Sequence, residues 1–423
     1  MQHRSNLAGQ TAVMLLVVSL MSASISNGQD LPAQDEAFEL ENDDRVVFLG
    51  DGFIEAAQRY GYIELALTTR WAGSNTTFRN IGWAGDTVDG DARRHFTDPP
   101  DQYERLISEV TSTNPTVLFV GYGSNVPFDR DGALQRFEDG LNRLLDDLVE
   151  ATGARIVLLS PPPHEIRTSP VPEDLVRGYN DVLKQVADVV GRTAGDRGHR
   201  FADVFSGLQT IDLQEEVPIT TDGVSLNDVG YYYVAHIVEE ALRLPRRGWS
   251  ATVGPDRHDG SNDGASVIEA DTNERGGTFT IQIDRLPVAV PTDISASAIP
   301  QAYRRQLTVT GLRAGSYELA VAGQTVAAAS SREWAKGIGL VSGPDISQTE
   351  EVRRLIIDKN RLYFHQFRPQ NSTYLVGFRA YEQGQNAKEL SHFGPLIDQK
   401  ELEIGLLSLP QPLTFKLVPT TEL

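Results

Sequence analysis

From residue 45 onward, short apolar and β-branched runs alternate with segments whose apolar residues fall three and four apart. That alternation dictates βαβ units wrapped around a parallel sheet. Strands are expected at Arg45–Leu49, Thr76–Ile81, Thr116–Val120, Ala154–Leu159 and Arg200–Phe205. Helices are expected at Phe53–Arg70, Gln102–Ser112, Asp131–Glu150, Glu173–Val190 and Asn227–Leu244. The third of these carries Leu134, Phe137, Leu141, Leu144, Leu145 and Leu148 as a single apolar stripe. The expected fold class is therefore α/β, with a parallel-sheet domain over residues 40–247.

The pattern then changes. Residues 248–276 are polar and rich in Gly, Asp and Ser without apolar periodicity, which reads as a linker or long loop. A smaller β-rich module is expected over 277–340, with antiparallel strands at Thr278–Ile283, Gln306–Val309, Ser316–Val321 and Gln324–Ala328. In residues 341–423 a helix at Thr349–Lys359 precedes a segment dense in aromatic and polar side chains. There Arg361, Arg368, Arg379, Glu382, Gln383, Gln385 and Asn386 alternate with Tyr363, Phe364, Phe367, Tyr374, Phe378 and Tyr381. Rings stack on pyranose faces while amides and arginines bind hydroxyls, so this composition suits sugar binding, and it suits a domain interface at least as well.

A chain of 423 residues has room for two such cores. Its first residues carry His3 and Arg4, then the apolar run Ala12–Met21, then small polar residues. This is the pattern of a cleaved signal peptide over 1–29, and it predicts a secreted or periplasmic protein with no membrane anchor once the leader is removed. Zero cysteines exclude disulfides, thiolate metal sites and cysteine nucleophiles. A formal net charge of −20 argues against nucleic acid as a partner, because phosphate backbones are held by Lys and Arg. No cofactor is indicated, and His95, His199, His258, His365 and His392 lack ligand-type neighbours at zinc spacing, so no metal is expected. Oligomeric state has no signature in the sequence.

In open parallel sheets the ligand site lies beyond the carboxyl ends of the strands. Three glycine-rich segments fall there: Gly50-Asp51-Gly52-Phe53, Gly82-Trp83-Ala84-Gly85-Asp86 and Gly121-Tyr122-Gly123-Ser124-Asn125. A fourth segment, Asp222-Gly223-Val224-Ser225, precedes the last helix. In order and spacing these four resemble the sequence blocks of the SGNH hydrolases, or GDSL esterase/lipase family, over Val46 to Leu244. The resemblance implies a flavodoxin-like three-layer domain. It also implies that Gly52 stands at the nucleophilic serine's place, that Gly85 and Asn125 supply the oxyanion hole with the N–H of residue 52, and that Asp222 and Ser225 stand at the D-x-x-H positions. Phe78-Arg79-Asn80-Ile81-Gly82-Trp83 and Glu382-Gln383-Gly384-Gln385-Asn386-Ala387 further resemble a secreted two-part subgroup of planctomycete-type bacteria. That likeness implies that the C-terminal segment packs back on the first domain.

The departures fall on the reacting groups. Gly52 has no hydroxyl to attack an acyl carbon, and the Ser225 hydroxyl cannot take up a proton at neutral pH. Only Asp222 of the triad is retained. The anion-facing half, Gly52 N–H, Gly85 N–H and Asn125, is intact. The expected function is a pseudo-esterase that binds an acyl, carboxylate or acetylated-carbohydrate ligand, small or polymeric. Two alternatives stand beside it: a working carboxylic-ester hydrolase with relocated Ser124 and His164, and a non-catalytic scaffold protein. Taken singly, the glycines read as turn residues, Asp51 as a loop brace and Ser225 as a helix cap.

Overall fold

The first strand, β1 (Arg45–Gly50), is apolar from Val46 to Leu49 because both of its faces are covered. Val46 and Phe48 join the core on one face of the sheet, and Val47 and Leu49 join the core on the other. A computed structural model describes residues 36–94, 101–211, 217–255 and 263–420; the signal peptide expected at 1–29 lies outside them. After β1 come α1 (Gly52–Tyr60), α2 (Tyr62–Thr68), β2 (Thr77–Asn80), α3 (Gln102–Ser112), β3 (Val117–Gly121), α4 (Ala133–Thr152) and β4 (Arg155–Leu159). They are followed by α5 (Glu173–Arg197), β5 (Arg200–Ala202), α6 (Val204–Thr210) and α7 (Asp228–Ala241). The sheet has the order β2-β1-β3-β4-β5 and every pair is parallel. Helices cover both faces, which makes the expected three-layer α/β domain.

The predicted stripe of α4 is the face it buries: Phe137, Leu141, Leu144, Leu145 and Leu148 are all inaccessible. Each such side chain contributes about 1.5–3 kcal/mol of transfer free energy. Two expected boundaries need correction. Phe53–Arg70 is two helices, because Gly61 takes a left-handed conformation, φ 71°, and turns the chain between them. Arg200–Phe205 is a strand only to Ala202, since the Asp203 side chain accepts from the Ser206 N–H at 3.0 Å and opens α6.

The second region contains β6 (Ser250–Val253), β7 (Ala265–Asn273), β8 (Gly276–Ile283), β9 (Gln306–Val309), β10 (Ser316–Val321), β11 (Gln324–Ser330), α8 (Ser331–Lys336) and β12 (Ile338–Gly339). After these come α9 (Pro344–Phe367), α10 (Ser372–Leu375), α11 (Ala380–Gln383), α12 (Phe393–Leu407) and β13 (Leu413–Pro419). The segment expected as a linker thus carries two strands. Its polar composition has a physical reason, because β7 is an edge strand with most of its residues in solvent. One sheet runs β11-β10-β13-β8-β7, all antiparallel, with the last strand of the chain inserted at its centre. The strand Gln306–Val309, expected within that antiparallel set, instead sits in a separate three-stranded sheet, parallel to β6 and antiparallel to β12.

The expected helix Thr349–Lys359 is the middle of the much longer α9, which returns with α12 to the first domain. Lys359, fully buried, donates to Glu64 and to the Phe78 carbonyl, and Asn360 donates to the second Glu64 oxygen at 2.9 Å. Arg353 donates to the Tyr60 carbonyl at 2.9 Å, and Arg79 pairs with Glu401. Of the aromatic residues in this segment, Tyr363 and Phe367 stack on each other and pack against the first domain's core, whereas Tyr381 and Phe378 face solvent. No helix among the described residues is long and apolar enough to cross a membrane.

Candidate functional site

The parallel sheet changes direction of winding between β1 and β3, and the crevice beyond their carboxyl ends is where loops can converge. Gly50 and Gly121 pair across this point. A Cβ on Gly50 would lie 2.0 Å from the Gly121 carbonyl oxygen, so only glycine permits the close approach of the two strands. Asp51 follows and caps α1. Its Oδ1 accepts from the Phe53 N–H at 3.0 Å and from the Ser124 hydroxyl at 3.2 Å, and its Oδ2 accepts from the Ser124 N–H at 3.0 Å. The bracing role expected for Asp51 is what these bonds describe. Burial raises its pKa to about 6, partly opposed by the Ser124 and Phe53 N–H groups.

Gly52, Gly85, Ser124, Asn125, His164 and Ser225, brought from five separate loops, line one cavity of about 410 Å³. Asp222 stands on the same loop as Ser225. The N–H groups of Gly52 and Gly85 donate to no protein group among the described residues. Gly52 is the first residue of α1, so its N–H is one of the donors that a helix start leaves unpaired and electropositive. Asn125 gives one amide hydrogen to the Asp86 carbonyl at 2.9 Å, which orients the amide and leaves its second hydrogen for the cavity. Unlike Gly50, Gly52 is not required by packing. A Cβ there would meet only Ala84, at 3.7 and 3.9 Å, in ordinary contact.

The opposite wall is organised differently. Asp222 and Ser225 are exposed, and Asp222 accepts from the Ser225 N–H at 2.6 Å, the Ser225 hydroxyl at 2.9 Å and the Val224 N–H at 3.0 Å. Burial works against the Asp222 charge, but these donors outweigh it and hold the carboxyl below its ordinary range. Ser225 is therefore a donor to Asp222 within a loop. The expected cap role is filled by Asn227, whose side chain accepts from the Gly230 N–H at 3.0 Å.

His164 reaches the cavity beside these residues. Its ring lies 5.7 Å from that of Phe128, and burial lowers its pKa against the opposing Asp222 carboxylate, so the imidazole is neutral at pH 7. Ser124, its imagined partner, donates its hydroxyl to Asp51, and no hydrogen bond joins Ser124 to His164.

Sequence reasoning missed Glu55, and it named Arg368 only as one of the C-terminal polar residues, without this partner. Glu55, buried one turn into α1, accepts from the Ala84 N–H at 2.7 Å and from Arg368 at 2.6 Å. The Arg368 guanidinium lies 3.9 Å from the centre of the Trp83 ring. The C-terminal region thus holds the loop that presents Gly85. The only local signal was an ionisable residue on the apolar face of α1. Among the described residues no cluster of His, Asp or Glu can hold a metal ion.

Residues 46–238 match the family model described as GDSL-like Lipase/Acylhydrolase. No curated protein matches the chain. Among solved structures, BT4096, a gut microbial diltiazem-metabolizing enzyme, is 16% identical with a TM-score of 0.72, and the alignment covers 92% of this chain and 100% of that one. A catalytic mutant of the acetylxylan esterase Axe2 from Geobacillus stearothermophilus is 16% identical, with a TM-score of 0.39 over 49% of this chain and 97% of its own. LAE5, an alpha/beta hydrolase from the metagenome of Lake Arreo, is 19% identical, with a TM-score of 0.39 over 48% of this chain and 97% of its own. The first likeness extends the shared fold across both regions; the other two are too distant to build on. With this match laid over the three-layer sheet and the glycine-lined cleft at its switch point, the N-terminal domain of this chain is similar to the GDSL/SGNH hydrolase family.

Proposed function

We propose that the protein is a catalytically impaired member of this family, which binds an acyl, carboxylate or acetylated-carbohydrate ligand in the Gly52 cleft without serine-based turnover. One observation carries the reading. Two backbone N–H groups without protein partners among the described residues line a cavity in which position 52 has no side chain. Donors of this kind stabilise a carbonyl oxygen or carboxylate whether or not a nucleophile is present. Acyl transfer also needs a hydroxyl at bonding distance and a base to take its proton; Gly52 offers neither, and Ser225 is committed as a donor to Asp222. Without its nucleophile and base, such a site retains only about 10³–10⁴ over the uncatalysed reaction. The pattern of residues 1–29 supports secretion, and the Phe78–Trp83 and Glu382–Ala387 phrases support the planctomycete-type two-part subgroup.

Treatment of the full chain with a fluorophosphonate probe, followed by peptide mass spectrometry, tests the reading. No serine is expected to be labelled, and stoichiometric label on Ser124 or any other serine overturns it. Because a side chain at 52 meets no obstacle, Gly52→Ser combined with Ser225→His is expected to gain both labelling and hydrolysis of an activated acetyl ester.

A further inference from the structure

The loop that presents Gly85 is a turn whose direction its own sequence leaves open. The Asp86 N–H donates to the Trp83 carbonyl at 2.9 Å and closes the four residues Trp83 to Asp86. Gly85, at the third position, has φ 80°, and Ala84 before it keeps a negative φ, so the turn is of type II. Its central peptide carries the Gly85 N–H. Glycine accepts either sign of φ, so the same four residues can close as a type I turn with that peptide turned over. The flip exchanges a donor, the Gly85 N–H, for an acceptor, the Ala84 carbonyl, at the wall of the cleft that both residues line.

The groups that hold the turn come from outside it. The Glu55 carboxylate takes the Ala84 N–H at 2.7 Å and is itself held by Arg368 at 2.6 Å. Arg368 is the residue that ends α9, so this brace reaches the cleft from a place 313 positions along the chain. Its guanidinium also covers the Trp83 ring, 3.9 Å from the ring centre, and Phe367 meets the same ring edge-on at 6.4 Å. The first domain contributes the Gly50 carbonyl, which accepts from the Trp83 N–H at 2.9 Å, and Arg93, 5.5 Å from the Trp83 ring. The Glu55 side chain is only 8% exposed, and a second cation, Arg59, stands 3.6 Å from it with 69% of its side chain in solvent. Arg368 therefore supplies most of the compensation for a buried carboxylate.

We propose that Arg368 is a positioning residue for the cleft. Through Glu55 and Trp83 it keeps the turn in the form that presents the Gly85 N–H, and so places the affinity of the cleft under the control of the C-terminal region. Docking of the end of α9 and occupation of the cleft then favour each other by the same factor, because such a coupling is reciprocal. The statement about affinity rests on the reading of the Gly52 cleft as an acyl- or carboxylate-binding pocket; the statement about the turn does not.

Two readouts on the full chain separate these statements. The amide resonance of Gly85, in protein carrying isotope-labelled glycine and identified by its loss in Gly85→Ala, reports the turn without any ligand. Titration with acetate reports the affinity. Arg368→Met is expected to displace the Gly85 resonance and to weaken acetate binding about tenfold, the scale of one lost charge-assisted hydrogen bond. Adding Glu55→Gln is expected to restore both, because an amide oxygen still accepts from the Ala84 N–H and needs no cation, whereas an arginine that only filled space would leave nothing for glutamine to repair. If Arg368→Met does not fold, Arg368→Lys, which keeps the charge and loses the flat stack, takes its place with a smaller displacement in the same direction. A Gly85 resonance that stays put in the folded variant, a displacement that Glu55→Gln does not reverse, or an acetate affinity indifferent to the loss of Arg368 overturns the proposal. Acetate that fails to bind the parent chain while the resonance responds as described sinks the pocket reading instead and leaves the brace standing.

Discussion

The two walls of the cleft are built to different standards. The wall that presents Gly52, Gly85 and Asn125 is anchored by buried polar groups. Asp51 ties α1 to the Ser124 loop. Asp86 accepts from Arg93 at 2.8 Å and Tyr122 at 3.0 Å, while its carbonyl holds Asn125. Glu55 takes the Ala84 N–H on one side and Arg368 on the other. Facing it, Asp222 and Ser225 lie exposed and bonded to each other. The difference teaches that the two walls are stabilised independently. The wall of N–H groups is part of the folding scaffold, where a change costs stability, and the other is a surface loop, where a substitution costs little.

Breaking the scaffold wall should have the largest effect. Asp86→Ala leaves the buried Arg93 guanidinium with one carboxylate fewer, and such a loss costs about 3–5 kcal/mol. Urea denaturation measures it; a change under 1 kcal/mol would erase the contrast between the walls.

A second test uses pH. Burial raises the folded-state pKa of Asp51 to about 6 from its ordinary 3.8, so the folded chain holds this proton more tightly than the unfolded chain. The stabilising contribution is complete below about pH 4 and disappears as pH rises through 6, an effect of about 3 kcal/mol. Asp51→Asn should therefore flatten that part of the stability profile, and an unchanged slope between pH 4 and 6 would assign the pH dependence to other groups. The smallest effect belongs to the exposed wall. Ser225→Ala is expected to move stability by less than about 0.5 kcal/mol, and a loss comparable to that of Asp86→Ala would show that this loop, too, is structural.

Much of the first domain was legible because its signals are local. Alternating faces of β1 and the α4 stripe announce themselves within a few residues, three glycine-rich segments follow successive strands, and a fourth precedes the last helix of the domain. The polar edge strand β7 was read as a linker because a strand with only Ala265 buried and most of its residues in solvent has no apolar period to detect. The strand β13 went unseen because its place between β8 and β10 depends on partners more than ninety residues away.

What the sequence by itself determined was the α/β class, the order of the first domain's strands and helices, and that positions 52 and 225 carry no more than a glycine and a serine. Hydrophobic periodicity and side-chain chemistry are properties of the chain before it folds. Only the tertiary structure decided that Arg368 braces Glu55 behind the Ala84–Gly85 loop, and that Ser124 answers to Asp51 rather than to His164. Those relations join residues whose separation along the chain carries no signal, and they exist only once packing has fixed distances.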